Sequence, residues 1–414
     1  YTNNAVYLED EEMAVIRRHK KIKIRKIKDD SIVSPYIQEL QLNLEQIEKG
    51  GFDHFMLKEI YEQPHAIRDT YRGRLLSDQA IIKMAGVEDN MKTFLNANRI
   101  IIVACGTSWH AGLVAEYIFE NLVRIPVEVE YASEFRYRNP VINSNDVVIA
   151  ISQSGETADT LAAIKLAKSC GAFVFGVCNV VGSSIARETD AGAYTHAGPE
   201  IGVASTKAFT AQVTVLTLLA LRLAQLKETI NLADFRRILT ELETIPEKVK
   251  AVLEKNDVVK EISKIYKDSK NALYLGRGSS FPVALEGALK LKEISYIHAE
   301  GYAAGELKHG PIALIEDGTP VIVIAPTNSL FEKTISNLQE VASRGANIIL
   351  ITDEEGKQRA ETLSDNIIVM PGSSDFVSPI IATIVVQLLA YHSAVHLGTD
   401  VDQPRNLAKS VTVE

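Results

Sequence analysis

One long pattern of strands and helices occurs twice in this chain of 414 residues, and that duplication limits the fold more than any other feature. The matching stretches lie 171–175 residues apart, and they are 101–108 with 272–280, 146–151 with 320–325, 170–177 with 344–351, and 208–226 with 380–397. A repeat of this length excludes a solenoid. Because strands alternate with helices across 99–226, each copy is predicted to form a parallel, doubly wound α/β sheet.

A turn rich in hydroxyl groups follows the buried strand 146–151 and precedes a predicted helix. Its sequence is Ser152-Gln153-Ser154-Gly155-Glu156-Thr157. Ligands of open α/β sheets bind at such carboxyl ends of strands. Free backbone N–H groups, the positive end of a helix and hydroxyl donors together suit an anion. A phosphate is the predicted ligand, although a simple helix cap uses the same residue types. Neither a Walker loop nor a Gly-x-Gly-x-x-Gly fingerprint is present at this turn.

The corresponding turn of the second copy has a different composition, Pro326-Thr327-Asn328-Ser329. We therefore expect one active pocket per chain, in the first copy. Two further polar stretches could face that pocket. One is Cys105-Gly106-Thr107-Ser108 after the strand 99–104, and the other is 200–207 before a long helix. For 200–207, simple helix capping is an equal alternative.

Three charged side chains, Glu286, Lys290 and Glu293, are spaced four and then three residues apart, so they share one face of a predicted helix. Two carboxylates and an amine can move protons, although a solvated ion-pair face is the commoner arrangement. His309, between a glycine and a proline, could act as an acid or base or be incidental. Lys409, in the carboxyl-terminal tail, could form an imine with a carbonyl group.

Composition excludes several other classes of function. The net charge of −9 argues against binding of nucleic acid. The three cysteines have no metal or disulfide spacing, which suits a reducing cytosol. The apolar stretches 213–226 and 380–397 contain polar residues, so they are interpreted as buried helices and not as membrane spans. His392 and His396 lie four residues apart, and packing is favoured over zinc binding.

Residues 1–30 differ in pattern from the rest. The runs 5–8 and 13–16 predict a hairpin, and 17–28 predicts a strand with one solvated basic face in preference to a nucleic-acid or lipid patch. Ser34 followed by proline predicts a helix that continues to about Glu48. A second helix is predicted from Asp53 to near Pro64.

Four motifs together resemble one family closely: Cys-Gly-Thr-Ser at 105–108, Ser-Gln-Ser-Gly-Glu-Thr at 152–157, Glu-Ile-Gly-Val-Ala-Ser-Thr-Lys at 200–207 and Leu-Ala-Lys-Ser-Val-Thr-Val-Glu at 407–414. The family is that of the glucosamine-6-phosphate synthases, the glutamine–fructose-6-phosphate aminotransferases (isomerising). The resemblance extends from about residue 70 to the last residue. It implies two tandem flavodoxin-like sugar-isomerase (SIS) domains, in agreement with the duplication.

The resemblance also implies roles for individual residues. Lys409 would form a Schiff base with C2 of fructose 6-phosphate, Glu293 would carry the proton between C1 and C2, and Lys290 would assist that transfer. His309 would open the sugar ring and would come from the neighbouring subunit of a homodimer. No cofactor and no metal are expected. The substrate-binding residues would be Thr107, Ser108, Ser152, Gln153, Ser154, Thr157, Val203, Ser205 and Ala408.

The expected segments are a glutaminase remnant at 1–30, connecting helices at 31–98, SIS domains at 99–231 and 257–399, a linker helix at 232–256, and a tail at 400–414 that closes the active site. In this family, a glutaminase domain releases ammonia from glutamine, and only its final strands are expected here. We therefore expect a cytoplasmic isomerase part that converts fructose 6-phosphate into glucose 6-phosphate but cannot use glutamine. With ammonia supplied by that domain, it would yield glucosamine 6-phosphate, the first step of hexosamine synthesis.

Two other functions remain open at this point. A SIS-domain sensor of sugar phosphates would have the same fold without turnover, but it would need neither Lys409 nor Glu293. An isomerase or deglycase for another phosphosugar is the second alternative, against which the motif at 407–414 and the amino-terminal remnant argue.

Overall fold

The computed structural model describes residues 4–6, 8, 11–34, 37–39 and 48–413. The chain divides into two compact units, Tyr1–Gly50 and Gly51–Glu414. The described part of the first unit is made of short antiparallel strands, in which β1 pairs with β5 and β2, β3 and β4 form a second sheet. The strands are β1 (Asn4–Val6), β2 (Glu12–Val15), β3 (Lys23–Lys26), β4 (Ile32–Val33) and β5 (Ile37–Glu39).

Two predictions for this first unit are wrong. The predicted hairpin does not form, because β1 pairs with β5 while β2 pairs with β3. The helix predicted from Ser34 is replaced at Ile37–Glu39 by a strand, whose backbone bonds are satisfied by β1; residues 40–47 lie outside the described residues. The strand predicted over 17–28 forms only at Lys23–Lys26, where Ile24 is buried and the neighbouring Lys23 is exposed.

The second unit begins with short elements that lead into the first large sheet. The helix predicted from Asp53 divides into two, because Pro64 lies in the first turn of a new helix. The interpretation of 31–98 as helices alone is also wrong, because four short strands lie in this range: Ile32–Val33, Ile37–Glu39, Leu75–Leu76 and Ile81–Ile82. The elements are α1 (Phe55–Tyr61), α2 (Gln63–Tyr71), β6 (Leu75–Leu76), a 3₁₀ turn (Ser77–Gln79), β7 (Ile81–Ile82), α3 (Ala85–Glu88) and α4 (Met91–Leu95).

The first α/β domain is a parallel five-stranded sheet in the order β12-β11-β10-β8-β9, which is the flavodoxin-like order. The predicted strands are confirmed, and β12 was missed. The elements are β8 (Arg99–Ala104), α5 (Gly106–Leu122), β9 (Val127–Tyr131), α6 (Ala132–Phe135), β10 (Asp146–Ser152), α7 (Ala158–Ser169), β11 (Phe173–Cys178), α8 (Ser184–Glu188), β12 (Ala191–Tyr194) and α9 (Lys207–Leu226).

The second α/β domain repeats this arrangement, with five parallel strands in the order β14-β13-β15-β16-β17. The duplication seen in the sequence is therefore confirmed. Helices α10 (Leu232–Leu253) and α11 (Asn256–Ile262) connect the domains. The later elements are 3₁₀ turns at Ser263–Tyr266, Ala304–His309 and Pro311–Leu314, with β13 (Asn271–Gly276), α12 (Ser280–Ser295), β14 (His298–Ala303), β15 (Pro320–Ile324), α13 (Phe331–Ala342), β16 (Asn347–Thr352), α14 (Glu354–Ala360), β17 (Asn366–Val369) and α15 (Ser378–Leu397).

Both faces of each sheet are buried, which explains the continuous apolar runs of the strands. In β8, Ile100 and Ile102 join a core that the two domains share, whereas Ile101 and Val103 pack beneath the outer helices. Helices α9 and α15 lie in the shared core. Both are long and apolar enough to cross a membrane, but 83% of the most apolar window of each is buried within the protein. The prediction that they are buried helices is confirmed.

Candidate active site

The hydroxyl-rich turn lies between β10 and α7, where the sequence predicted it, and its own hydroxyl groups fix its shape. Ser152, 2% exposed, accepts a hydrogen bond from the Gly155 amide at 3.0 Å and lies 3.0 Å from the Thr157 hydroxyl. The Ser154 hydroxyl accepts from the Glu156 amide at 3.1 Å. Since these bonds satisfy amides of the turn internally, the side chains that face outward are held in place before any ligand arrives.

Gly155 is required by the geometry of this turn. Its φ of +70° lies in the left-handed region, and a Cβ atom there would come within 2.0 Å of the Ser183 hydroxyl oxygen. The loop before α8 therefore packs directly against the turn. Glu156 strengthens that contact, because its carboxylate accepts a hydrogen bond from the Ser184 amide at 2.8 Å.

The carboxyl-terminal tail lies against the same turn. The Ser154 and Ser410 hydroxyl oxygens are 3.0 Å apart, and the Ala158 amide donates to the Val411 carbonyl at 3.1 Å. Upstream in the tail, the guanidinium of Arg405 stacks 4.1 Å from the centre of the Tyr296 ring. The tail is thus attached to both α/β domains, and these contacts place Lys409 over the cavity.

Lys409 is held by two acceptors in the segment between β12 and α9. Its Nζ donates to Glu200 Oε2 at 2.6 Å and to the Gly202 carbonyl at 2.8 Å. Glu200 also receives the amides of Thr206 and Ala208 at the start of α9. Burial acts to raise the pKa of Glu200, but the Lys409 ammonium and these amides outweigh burial and lower the pKa to about 2. The site therefore pairs an ammonium with a firmly ionised carboxylate.

A second charged group lies on α12, where Glu286, Lys290 and Glu293 share one face as predicted. Lys290 is fully buried, and its Nζ lies 2.6 Å from Glu293 and 3.4 Å from Glu286. Burial acts to lower the pKa of Lys290, but the two carboxylates outweigh it and raise the pKa well above its usual range. The three side chains therefore form a buried ion network. From their spacing alone, a solvated ion-pair face was the more common expectation.

Helix α5 connects this network to the cavity. The Thr107 hydroxyl donates to Glu286 at 3.1 Å and accepts from Lys290 at 3.1 Å. His110 lies 2.7 Å from the other Glu286 oxygen. The first turn of α5 therefore holds Glu286 in place through Thr107 and His110. Thr107 also forms part of the wall of the cavity.

These features border one cavity of about 460 Å³. Most of the predicted site residues line it, namely Thr107, Ser108, Gln153, Ser154, Thr157, Val203, Ser205, Glu293, Ala408 and Lys409. The cavity thus joins the hydroxyl-rich turn, an amine and a carboxylate, which is a suitable arrangement for a phosphorylated carbonyl compound.

Three predicted site residues do not belong to the described lining of this cavity: Ser152, Lys290 and His309. Ser152 lies beneath the turn, and Lys290 lies behind Glu293. His309 ends the Ala304–His309 turn and is exposed. His392 and His396 contact α11, at Asn256 and the Lys260 carbonyl, which agrees with packing and not with a zinc site.

Two residues important to the geometry were missed from the sequence. Glu200 was part of a recognised motif, but its pairing with Lys409 spans 209 positions. Glu59, on α1, bonds the Ile201 and Gly202 amides of the same segment. Glu200 could have been recognised, because it is the carboxylate of the motif at 200–207. Glu59 could not, because the sequence around it predicts only a helix.

Comparison with known proteins agrees with this geometry. The SIS domain family matches residues 93–222 and 265–397. The chain belongs to this family. It is 57% identical over 414 residues to a protein of Bacteroides thetaiotaomicron and 57% identical to one of Chlorobaculum tepidum. Both relatives are named glutamine–fructose-6-phosphate aminotransferase (isomerizing), and the chain is covered in full while spanning 67% of each relative.

A solved structure shows the same fold. The C-terminal domain of glucosamine-fructose-6-phosphate aminotransferase from Francisella tularensis superposes with a TM-score of 0.82 at 44% identity. The alignment covers 86% of this chain and all of that structure. The tandem SIS fold expected from the sequence is confirmed, and the relatives extend beyond the SIS part of the molecule.

Proposed function

We propose that this chain is the isomerase part of a glutamine–fructose-6-phosphate aminotransferase, which binds fructose 6-phosphate and yields glucosamine 6-phosphate when ammonia is supplied. The observation that carries the proposal is the single cavity in which the hydroxyl-rich turn, Lys409 and Glu293 meet. The names of the relatives support the same substrate and reaction.

The phosphate occupies the turn between β10 and α7. Hydroxyl groups of Ser154 and Thr157 and the amide of Gln153 face the cavity there. Ser108 lines the same cavity, with its hydroxyl held by Gln212 at 3.0 Å, and it adds a further hydroxyl for the phosphate. The amino end of α7 adds a positive partial charge, which favours a phosphate dianion over a neutral group. Val203, Ser205 and Ala408 border the sugar.

Lys409 forms the imine. Its amine attacks C2 of the open-chain ketose, the C–N bond forms, and the carbonyl oxygen leaves as water. Ammonia then replaces the lysine nitrogen on C2. A protonated imine is a stronger electron sink than a ketone, so it makes the proton on C1 more acidic.

Glu293 moves that proton from C1 to C2 of the protonated imine, and the hydroxyl group on C1 releases its own proton to solvent. C2 then carries the amine of glucosamine 6-phosphate, and C1 becomes an aldehyde. Lys290, 2.6 Å away, stabilises the carboxylate form of Glu293 before the first transfer and after the second. Without ammonia, the same carboxylate moves the proton on the open-chain ketone itself and gives glucose 6-phosphate.

Two partners complete this proposal. His309 opens the sugar ring in a neighbouring subunit, since its place on an exposed turn lets it reach outward from its own chain. A homodimer with shared sites follows. Ammonia comes from a glutaminase domain of the full-length protein, and the reaction belongs to the cytoplasm.

The test follows the proton. The chain is mixed with fructose 6-phosphate in D₂O, and NMR detects exchange at C1 and C2, beside Lys409→Ala and Glu293→Gln. We expect glucose 6-phosphate with the unchanged chain and with Lys409→Ala but not with Glu293→Gln, and glucosamine 6-phosphate only when ammonium is added to the unchanged chain. Sugar-phosphate binding with no exchange in any sample would overturn the proposal and favour a sensor. Turnover of another phosphosugar in preference would favour the remaining alternative.

A further inference from the structure

Glu59 is a buried carboxylate, 2% exposed, that the reaction above does not use. Its Oε1 accepts hydrogen bonds from the Ile201 and Gly202 amides. Its Oε2 is buried and has no hydrogen-bond partner among the described residues, and a Cβ atom on Gly202 would lie 2.9 Å from it. This oxygen therefore faces the segment whose Glu200 side chain and Gly202 carbonyl hold Lys409.

The position of Glu59 is fixed by the tail that carries Lys409. Asp402 accepts the Phe55 and Met56 amides at 2.9 Å each, so it caps the helix that carries Glu59. The Asp402 carbonyl accepts the Val203 amide at 3.0 Å. Helix α1, the segment after β12 and the tail are thus connected in a closed set of hydrogen bonds.

The charges around Glu59 are already matched without it. Lys409 is paired with Glu200 at 2.6 Å, Lys207 and Lys58 share Glu62 at 2.7 and 3.5 Å, and Asp402 supplies a third carboxylate on the adjoining tail. An ionised Glu59 would be an additional buried negative charge, which is costly. Burial and the charge of Glu200 raise the pKa of Glu59 to about 8. The titratable groups on the elements packed here are Lys58, Glu62, Glu200, Lys207, Tyr391, Asp402 and Lys409.

We propose that Glu59 is a positioning residue for Lys409, which acts as a neutral carboxylic acid and leaves Glu200 as the sole carboxylate holding the Lys409 ammonium. The role presupposes the imine chemistry proposed above. Attack on C2 requires a neutral amine, so the Lys409 ammonium, which Glu200 holds at 2.6 Å, first releases its proton to solvent. After the C–N bond forms, the departing oxygen takes one proton from the attacking nitrogen and one from solvent and leaves as water.

Ionisation of Glu59 would oppose the first of these steps. A second negative charge beside Lys409 favours the ammonium, and a charge at this range shifts a pKa by roughly one unit or more. Formation of the imine by the unchanged chain should therefore stop increasing with pH near pH 8, although a lysine nucleophile normally reacts faster as pH rises.

The test measures the initial rate of imine formation between pH 6.5 and 10. The chain reacts with fructose 6-phosphate for a set time, borohydride traps the imine, and mass spectrometry quantifies modified Lys409. Glu59→Gln keeps an amide acceptor for Ile201 and Gly202 but cannot ionise. Glu62→Gln, on the next turn, is the matched control.

We expect the rate of Glu59→Gln relative to the unchanged chain to rise roughly tenfold between pH 7 and pH 9.5, as one pKa unit requires. Glu62→Gln should keep the profile of the unchanged chain. Parallel profiles for Glu59→Gln and the unchanged chain would overturn the role of Glu59 alone. The role of Glu59 would also be overturned if the rate of imine formation in the unchanged chain kept rising through pH 8. That measurement does not depend on the folding of any variant. No trapped imine in the unchanged chain at any pH would overturn the proposed function together with this role.

Discussion

In the first α/β domain the turn after β10 presents Gln153, Ser154 and Thr157 to a cavity, whereas in the second domain the turn after β15 is closed by a carboxylate. Asp353 accepts the Thr327 amide at 2.7 Å, the Thr327 hydroxyl, and the Gly356 amide at 2.9 Å. The donors that would bind an anion in the second domain thus bind an anion of the protein itself. The same strand order leaves the side chains of one turn bordering a cavity and the other turn closed by a carboxylate.

The helices that follow the first strand of each domain show the same contrast. Strands β8 and β13 begin 172 residues apart, and with that spacing Ile118 corresponds to Lys290 and Asn121 to Glu293. Asn121 lines a cavity of about 420 Å³ formed with turns of the second domain, as Glu293 does with turns of the first. The two domains therefore have two corresponding cavities, and they differ in charge because one has a carboxylate where the other has an amide.

The largest effect should come from removing the buried cation. Lys290→Met leaves Glu286, with its fully buried side chain, without its neighbouring ammonium, so we expect a loss of about 3–5 kcal/mol in unfolding free energy. Ile118→Met at the matching position should cost less than about 1.5 kcal/mol. Urea denaturation measures the unfolding free energy of both variants. Equal losses would show that α12 does not depend on a buried cation at the position where α5 has an isoleucine.

The second effect depends on pH and distinguishes the two carboxylates near Lys409. The folded pKa of Glu200, about 2, lies below its ordinary 4.5, so its contribution is present above pH 4.5 and is lost as pH falls toward 2. The folded pKa of Glu59, about 8, has the opposite sign, so its contribution decreases as pH rises from 4.5 through 8.

Thermal unfolding between pH 2 and pH 9 measures both contributions. Glu200→Gln should flatten the decrease in stability on the acidic side, and Glu59→Gln should flatten the decrease on the alkaline side. If both variants changed the stability on the same side of the pH profile, the assignment of an ionised form to Glu200 and a neutral form to Glu59 would be wrong.

A smaller effect is expected at the turn itself. Gly155→Ala forces a Cβ atom to within 2.0 Å of the Ser183 hydroxyl oxygen at a positive φ, at a cost of roughly 1–3 kcal/mol. Affinity for fructose 6-phosphate, measured by calorimetry, should fall because the turn must shift. The exposed Ser329, in the second turn, provides the control, since Ser329→Ala should change stability by less than about 0.5 kcal/mol. Unchanged affinity in Gly155→Ala would contradict the assignment of this turn to the phosphate.

The smallest effect is expected where the second turn is closed. Asp353→Asn weakens the cap of α14 and the bonds to Thr327, so we expect a loss of about 1 kcal/mol. Isomerase activity should be unchanged, and calorimetry should still find one sugar-phosphate site per chain. Loss of activity in this variant would show that the second turn also takes part in the reaction.

Much of the fold and part of the site could be predicted from the sequence, because those features are local. Apolar strands such as Arg99–Ala104, the glycine in the phosphate turn, and the spacing of Glu286, Lys290 and Glu293 are each written within a few residues. Most errors concern short strands, and the pairing errors fell in the first 50 residues, where short strands choose partners far along the chain. The strand Ile37–Glu39 illustrates this, since its partner β1 lies more than 30 residues away.

The sequence by itself determined the duplication, the parallel sheets and the residue types that can bind phosphate and form an imine, since periodicity and composition encode them. Tertiary structure alone decided how those groups are charged. The pairing of Lys409 with Glu200, the unpartnered oxygen of Glu59 and the closure of the second turn by Asp353 join residues 26 to 209 positions apart. Burial and the distance between charges set these properties, and both arise only when the chain is folded.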